Sequence, residues 1–156
     1  MSDMESYYRE YGKKVYLFLM SLCREHDTAE ELTQETFYQA IKSLNRYDGK
    51  CSVYTWLCGI AKNLWLKELK RRRLHPSAEA DESKPSDDLS PDKSFELRET
   101  KMDVLKQIHA LPEQDKELIL LRATGGLSFK EIGEIFGKTE NWARVTYYRA
   151  KQKISG

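Results

Sequence analysis

The last part of the chain carries arginines and lysines at a spacing that suits recognition of double-stranded DNA. Residues 127–154 read LSFKEIGEIFGKTENWARVTYYRAKQKI. Ser128 and Thr139 can each cap a helix, and Gly137 lies between them, where the chain must turn. The pattern predicts a short helix, a turn and a longer basic helix, which is the layout of a helix-turn-helix. Arginine on such a helix can donate two hydrogen bonds to guanine, and lysine can bind phosphates.

The longer helix is expected to have one face for DNA and another for its partner helix. Its predicted outward residues are Glu140, Asn141, Arg144, Tyr148 and Arg149, with Lys151 and Lys153 placed for phosphates. The two helices are predicted to be held together by Ile132, Ile135, Phe136 and Ala150, and by either Val145 or Tyr147. The alternative interpretation is an amphipathic C-terminal helix whose basic face is simply solvated.

A second segment, residues 51–73, interleaves aromatic residues with cations. It reads CSVYTWLCGIAKNLWLKELKRRR. Unpaired bases can stack on aromatic rings, and their phosphates would meet the cations Lys62, Lys67, Lys70 and Arg71–Arg73. Trp56 falls on the apolar face of this helix and is expected mainly in the core, whereas Trp65 fits that face less well and could lie at the surface. The arginine run could also be only a solubilising helix end.

Charge is segregated along the chain, although the formal net charge is only +1. Residues 25–37 hold five acids and no lysine or arginine, in contrast to the two basic segments. The separation of one acidic and two basic segments indicates more than one partner surface.

Apolar periodicity predicts helices and no strands. Apolar residues recur three or four apart over residues 4–24, and a second helix is predicted to follow a capping box of Thr28 and Glu31. Residues 46–50 read as a turn, and Ser52 can cap a third helix. After Phe95 the helical pattern resumes, with Pro112 in the first turn of a helix that carries the apolar run 118–121 and stops at Gly125-Gly126. The short helix and the basic helix described above follow, and the basic helix is expected to reach Ile154.

Residues 75–94 interrupt this pattern. The segment HPSAEADESKPSDDLSPDKS is rich in proline, serine and acids, and it predicts a flexible acidic linker. It divides the chain into residues 1–74, the linker 75–94 and residues 95–156. The linker is either a plain spacer or a segment whose acids screen basic surfaces or follow a basic channel on a partner.

Several kinds of chemistry are not indicated by the sequence. No apolar run is long enough to cross a bilayer and no signal-peptide pattern is present, so we expect a cytoplasmic protein without membrane insertion. Cys23, Cys51 and Cys58 lack paired-ligand spacing, and the histidines (His26, His75 and His109) are scattered, near no carboxylate cluster. We therefore expect no metal site, no cofactor, no catalytic residue and no enzymatic activity.

Three segments, in this order, resemble the extracytoplasmic-function (ECF) sigma factors, group 4 of the sigma-70 family. AEELTQETFYQAIKSL at residues 29–44 and SVYTWLCGIAKNLWLKELKRRR at residues 52–73 are similar to parts of sigma region 2. Residues 109–154 resemble sigma region 4, which ends in a helix-turn-helix. The resemblance implies an all-α fold of two small helical domains, a region 2 bundle and a region 4 helix-turn-helix, joined by the acidic linker.

The resemblance also implies partners and a function. ECF sigma factors bind core RNA polymerase, recognise the minus-35 and minus-10 promoter elements and promote DNA melting. The polymerase contacts would be the coiled coil of the largest subunit and the flap region. The resemblance also implies an anti-sigma factor as a partner, with promoter DNA.

Individual residues take roles from the same resemblance. Core polymerase binding is expected at Leu32, Gln34, Glu35 and Tyr38. Minus-10 binding and melting are expected at Asn63, beside a loop in which the family captures an unpaired base, with Lys62, Trp65, Lys67, Lys70 and Arg71. Minus-35 recognition is expected at Arg144, Val145, Tyr148, Arg149 and Lys151. Departures from common family residues at Lys67, Trp142 and Thr146 mean that the promoter sequence does not follow from the family.

Two other classes of function stay open from the residues. A self-sufficient helix-turn-helix repressor or activator would explain the last thirty or so residues but neither the acidic segment nor the aromatic-basic one. A helical adaptor, possessing only protein contacts and acting as an anti-sigma decoy, would make no use of Arg144 and Arg149.

Overall fold

The structure of the protein, a computed structural model, contains helices and no strands in the part of the chain that it describes. That part is residues 3–75 and 95–154, with side chains described from residue 4 and from residue 101. The helices are α1 (Asp3–Cys23), α2 (His26–Ser43), α3 (Val53–Leu74), α4 (Phe95–His109), α5 (Glu113–Ala123), α6 (Phe129–Phe136) and α7 (Glu140–Lys153). A short 3-10 helix, Leu44–Arg46, follows α2. The predicted all-α fold class is confirmed.

Helices α1 to α3 form a bundle around the apolar face predicted for residues 4–24. Val15, Phe18 and Leu19 are fully buried on α1, because residues three or four apart share one side of a helix. They pack with buried residues of the other two helices, including Phe37 of α2 and Leu57 of α3. Burial of each large apolar side chain contributes about 1.5–3 kcal/mol.

Helices α4 to α7 form the second helical unit, and α5 is buried at its centre. Leu118, Ile119, Leu120 and Leu121 are consecutive and all buried. A helix buried on successive positions has neighbours on more than one side. Helix α5 indeed packs against α7 on its own unit and against α1 of the first bundle. The apolar run 118–121 is therefore covered from both units.

Most of the predicted helix ends are confirmed by capping hydrogen bonds. The Ser52 hydroxyl accepts from the Thr55 amide, and the Thr139 hydroxyl accepts from the Trp142 amide. Ser128 and Glu131 form the complete capping box, and Gly137 has the predicted positive φ of 69°. These local signals succeed because each bond involves residues no more than three apart.

Two predicted helix starts are wrong by small offsets. Helix α2 begins at His26 with Glu25 as its N-cap, and the Thr28 hydroxyl donates to the Glu25 carboxylate over 2.7 Å instead of capping. The connection before it is tight because Arg24 takes a positive φ of 61°, which residue type alone does not predict. Pro112 is the N-cap of α5 and not a residue of its first turn.

The two helical units share one continuous core in this structure. The sequence left open whether they pack together. The predicted linker, residues 75–94, lies almost wholly outside the described residues, so the domain boundaries stay a prediction. Within the described ranges, no helix is long and apolar enough to cross a membrane.

We predict that Gly133→Ala destabilises the C-terminal unit. A Cβ at this position would lie 2.7 Å from the Thr139 carbonyl oxygen and 2.9 Å from that of Lys138. Because both are backbone atoms, the α6–α7 connection must shift, at a cost of about 1–3 kcal/mol. Thermal unfolding followed by circular dichroism measures this loss.

Gly59→Ala on α3 is the matched control. A Cβ there would meet only Ile135 Cγ1, at 4.0 Å, which is an ordinary contact. Alanine is also the better helix former by about 1 kcal/mol. Equal melting temperatures for the two variants would contradict the close approach at Gly133.

Candidate nucleic-acid interface

Helix α7 presents an exposed face with the composition predicted for DNA recognition. Arg144, Val145, Tyr148 and Arg149 are all exposed on it, with Tyr148 at 50%. Arg144 is held loosely, since its guanidinium pairs with the exposed Glu140 carboxylate at 2.9 Å and lies over the Phe129 ring. An exposed ion pair of this kind contributes little, about 0–1 kcal/mol, so Arg144 can exchange it for another acceptor.

Helix α6 fixes the orientation of α7 through small and aromatic residues. Ile132 and Ala143 are fully buried between the two helices. The rings of Phe136 and Trp142 lie 5.4 Å apart, and those of Phe129 and Tyr147 lie 5.3 Å apart. Of the two predicted alternatives, Tyr147 is therefore the packing residue, and Val145 is left free at the surface.

Helix α3 carries an exposed polar strip on one side. Asn63, Lys67 and Lys70 are exposed and three or four residues apart. Arg71 is exposed next to them, with its guanidinium bonded to Glu68. Asn63 lies within the helix, ten residues after its start. The strip brings together four of the six residues predicted for minus-10 binding.

The other two predicted residues, Lys62 and Trp65, lie on a different side of α3 and are buried. Trp65 is only 3% exposed, so the alternative that placed it at the surface is wrong. Its indole Nε1 donates to the Glu113 carboxylate over 3.1 Å. Lys62 is 8% exposed, and its ammonium lies 3.9 Å from Glu117 Oε1 and 4.6 Å from the centre of the Phe136 ring. Both residues thus face the C-terminal unit.

The Lys62–Glu117 contact is electrostatically unusual because both groups are shielded from water. Burial raises the pKa of Glu117 to about 8, even though the charge of Lys62 lowers it. Removing a carboxylate and an ammonium from water costs several kcal/mol each, and an incomplete hydrogen-bond set does not offset that cost. Glu117 Oε2 lacks a hydrogen-bond partner among the described residues. A neutral Glu117 is therefore favoured at pH 7.

The arginine run at the end of α3 is partly structural. Arg72 Nη2 donates to Glu25 Oε1 over 2.8 Å and to the Thr28 hydroxyl over 3.1 Å. Its Nε donates to Glu68 over 2.8 Å. Arg72 thus ties the end of α3 to the start of α2, whereas Arg73 is exposed.

Helix α2 turns one acidic and apolar face to solvent. Tyr38 and Ile41 are 55% and 56% exposed. Gln34 is exposed nearby, while Glu35 and Leu32 are half-buried. A groove of about 440 Å³ borders this face. The four predicted polymerase contacts therefore lie on or beside one surface, to which the structure adds Ile41.

Sequence reasoning missed several contacts between distant residues. The Tyr54 hydroxyl donates to the Gly125 carbonyl over 2.8 Å. The carboxyl groups of Glu113 and Glu117 on α5 face α3. Trp56 is half-buried, not core, and its ring stacks on that of Tyr47, with the ring centres 4.7 Å apart.

His26 lies close to Asp27 and Glu30, so the expectation that no histidine lies near carboxylates is wrong for His26. All three of those side chains are exposed.

The chain belongs to the sigma-70 family of RNA polymerase sigma factors, in its ECF group. The Sigma-70 region 2 family matches residues 7–75, and the Sigma-70, region 4 family matches residues 101–154. The RNA polymerase sigma factor CarQ of Myxococcus xanthus is 31% identical over 153 residues, which are 96% of this chain and 86% of CarQ. The ECF RNA polymerase sigma-E factor of Haemophilus influenzae is 30% identical over 154 residues, covering 92% of this chain and 81% of that protein.

The fold agrees with this membership. The sigma factor RpoE of Bartonella quintana, solved in complex with the anti-sigma factor NepR, superposes with a TM-score of 0.75. Sequence identity to it is 22%, and the match covers 99% of this chain and 95% of RpoE. The protein is an alternative sigma factor, which acts with RNA polymerase in promoter recognition and transcription initiation.

We predict that Glu68→Gln destabilises the protein at neutral pH more than at pH 2. Hydrogen bonds from Arg71, and secondly from Arg72, lower the pKa of Glu68 to about 2 from 4.5. A lowered carboxyl pKa stabilises the fold above pH 4.5, and that contribution disappears as pH falls towards 2. Melting temperatures of both proteins across this range measure the effect.

Glu31→Gln, which removes the same charge from an exposed position of α2, controls for net charge. A difference between wild type and Glu68→Gln that stays constant from pH 7 to pH 2 would contradict the structural role of the carboxylate.

Proposed function

We propose that the three exposed surfaces divide the work of initiation among themselves. The α7 face binds the minus-35 element, the α3 strip binds the minus-10 element and its unpaired strand, and the α2 face binds core RNA polymerase. The observation that carries this proposal is the separation of the surfaces. Two cationic faces lie on different units, and an acidic-apolar face lies on a third helix.

The α7 face supports the assignment to duplex DNA by its chemistry. Arg144 and Arg149 can each donate two hydrogen bonds to guanine in the major groove, at about 1–3 kcal/mol of discrimination per pair. Lys151 is exposed near the end of the helix, where it can bind a phosphate. Val145 is exposed and apolar, and it can contact a thymine methyl group.

The α3 strip supports binding of single-stranded DNA. Asn63 can hydrogen-bond to the edge of an unpaired base, and Lys67 and Lys70 can bind phosphates on either side. The half-buried Trp56, stacked on Tyr47, lies near the start of the same helix. Aromatic rings of this kind are stacking partners for bases, at about 1–3 kcal/mol per base.

The α2 face supports a protein contact. Its first half carries the acids Asp27, Glu30 and Glu31, and its second half carries exposed Tyr38 and Ile41. Exposed aromatic residues typically form the centre of a protein interface and charges form its rim. We infer that a basic surface with an apolar centre, as on the largest-subunit coiled coil of polymerase, is its partner. The flap region is the inferred partner of the C-terminal unit.

An anti-sigma factor is proposed as a further partner. RpoE of Bartonella quintana was solved with one, and the shared fold makes similar surfaces available here.

We infer a cytoplasmic location, because the template is chromosomal DNA. We also infer that the protein has no catalytic role. Burial raises the pKa of the Cys58 thiol to about 12, which makes it a poor nucleophile.

The regulator and the adaptor are less well supported than the sigma factor. A self-sufficient regulator leaves the family match over residues 7–75 without a role. A helical adaptor leaves the exposed arginines of α7 without a role. Transcription from a promoter by core polymerase that depends on added protein distinguishes the sigma factor from both.

We predict that substitutions on the two DNA surfaces respond differently to a pre-melted template. Arg144→Ala with Arg149→Ala should weaken initiation on duplex and pre-melted promoters alike, because minus-35 contacts are lost in both. Asn63→Ala should impair initiation on duplex and be partly rescued by a pre-melted minus-10 region. Abortive transcription with core polymerase on both templates measures this.

Lys101→Ala with Lys106→Ala, which removes two exposed cations from α4, is the charge-matched control. Equal rescue of both variants by the pre-melted template would refute the division of labour.

We also predict that Tyr38→Ala weakens binding to core polymerase in the absence of DNA. Loss of a central aromatic contact typically costs about 2 kcal/mol or more, or about thirtyfold in Kd. Fluorescence anisotropy with labelled protein measures the affinity. Leu17→Ala, at an exposed apolar position of α1, is the control, and equal affinities for both variants would exclude Tyr38 from the interface.

A further inference from the structure

Arg144 of α7, the residue assigned above to a guanine contact, touches two neighbouring side chains. Its Nη2 donates to Glu140 Oε2 over 2.9 Å, one turn earlier on the same helix. Its Cζ lies 5.5 Å from the centre of the Phe129 ring, which α6 supplies. A carboxylate and a ring face attract a guanidinium in different ways, and together they restrict where it can point.

The Phe129 ring is itself fixed in place. Arg122, in the last turn of α5, lies over it with its Cζ 4.3 Å from the ring centre. The same arginine donates from Nη1 to the Leu127 carbonyl over 3.1 Å. The Tyr147 ring packs against Phe129 with the ring centres 5.3 Å apart. Phe129 is half-buried among these groups, so it can support a more exposed side chain.

The pair with Glu140 leaves Arg144 able to bind a base. A guanidinium has five N–H donors, and the Glu140 contact uses one nitrogen. Guanine needs two donors for its O6 and N7 atoms. The ion pair contributes little to stability while water surrounds it. It becomes stronger when bound DNA excludes water from it, because the local dielectric falls.

We propose that Glu140 and Phe129 are positioning residues, which set the direction of Arg144 and thereby the specificity of minus-35 recognition. The inference rests on the proposed function, because it needs Arg144 to read a base. It adds two residues that determine selectivity, and one of them carries the same sign of charge as DNA.

A restricted Arg144 favours the correct base pair over the wrong ones. An unrestricted arginine can turn from a wrong base to a nearby phosphate and still bind, which lessens the penalty for the mismatch. An arginine directed by a carboxylate and a ring turns less freely, so a wrong base leaves its donors unpaired in the groove. Ordering a long side chain in advance also lowers the entropic cost of correct binding.

The charge of Glu140 acts in the same direction. Glu140 is the only acid among residues 138–153. That stretch holds five cations, namely Lys138, Arg144, Arg149, Lys151 and Lys153. By pairing with one of them, the carboxylate weakens the sequence-independent attraction of α7 to phosphates. Nonspecific affinity falls while the base contact is kept, and specificity is the ratio of the two affinities.

Selection of promoters by holoenzyme tests the two roles. Core polymerase with the full-length chain is incubated with a promoter library whose minus-35 element is randomised, and the promoters retained in open complexes are sequenced. Arg144→Ala first identifies the base pair that Arg144 reads, as the position whose preference is lost. Glu140→Gln and Phe129→Leu are then compared with wild type at that position.

Two further variants serve as controls. Phe129→Tyr retains the aromatic ring, and Glu134→Gln removes the same charge from an exposed position of α6. We expect Glu140→Gln and Phe129→Leu each to lower the preference at the Arg144 position about two- to tenfold, as for the ordering of one long side chain. Preferences at the other positions should not change, and both control variants should keep the wild-type profile.

An unchanged preference at that position in Glu140→Gln would overturn the proposal. This variant decides the outcome if Phe129→Leu fails to fold, because Glu140 is exposed. An equal loss at every position, with a lower melting temperature, would also overturn it, since that pattern marks a purely structural role. If Arg144→Ala alters no position while wild-type holoenzyme selects promoters, Arg144 does not read the element and the positioning role falls. If wild-type chain with core polymerase selects no promoter, the proposed function itself fails.

Discussion

Helix α3 packs against neighbours on two of its sides and exposes a third, and the architecture depends on this arrangement. Leu57 and Ala61 pack into the bundle with α1 and α2, while Lys62 and Trp65 meet α5 and α6. Only the strip beginning at Asn63 faces solvent. Since an α-helix has 3.6 residues per turn, neighbouring residues in the sequence necessarily have different surroundings. Position around the helix thus decides which cations of the basic segment are available.

The direction of α7 depends on a similar constraint at the backbone. Gly133 lets the α6 backbone approach the carbonyl of Thr139, and Gly137 provides the left-handed turn between the helices. Ala143 and Ala150 are buried because they are small enough for this close packing. Arg144 and Tyr148 of α7 are left exposed together.

The distribution of charge explains how a nearly neutral chain can bind DNA. The formal net charge of +1 hides cationic faces on α7 and α3 and acidic ones on α2 and the inner side of α5. Acids at the start of α2 face solvent, where a protein partner can meet them. The carboxyl groups of Glu113 and Glu117 face α3 instead. The local charge of each surface therefore indicates which partner it can bind, and the net charge of the chain does not.

The sequence by itself determined the helices, most of their caps, the helix-turn-helix and the family, because these depend on residues near one another in the chain. Ser52, Ser128 and Thr139 cap as expected for that reason. Only the tertiary structure decided that Trp65 and Lys62 are buried, that Ile41 is exposed and that α5 supplies carboxylates to α3. The indole of Trp65 and the carboxylate of Glu113 are 48 positions apart, and no local periodicity reports a partner at that separation. Burial at such positions follows from how the two units meet, which is a property of the packed core and of no single segment.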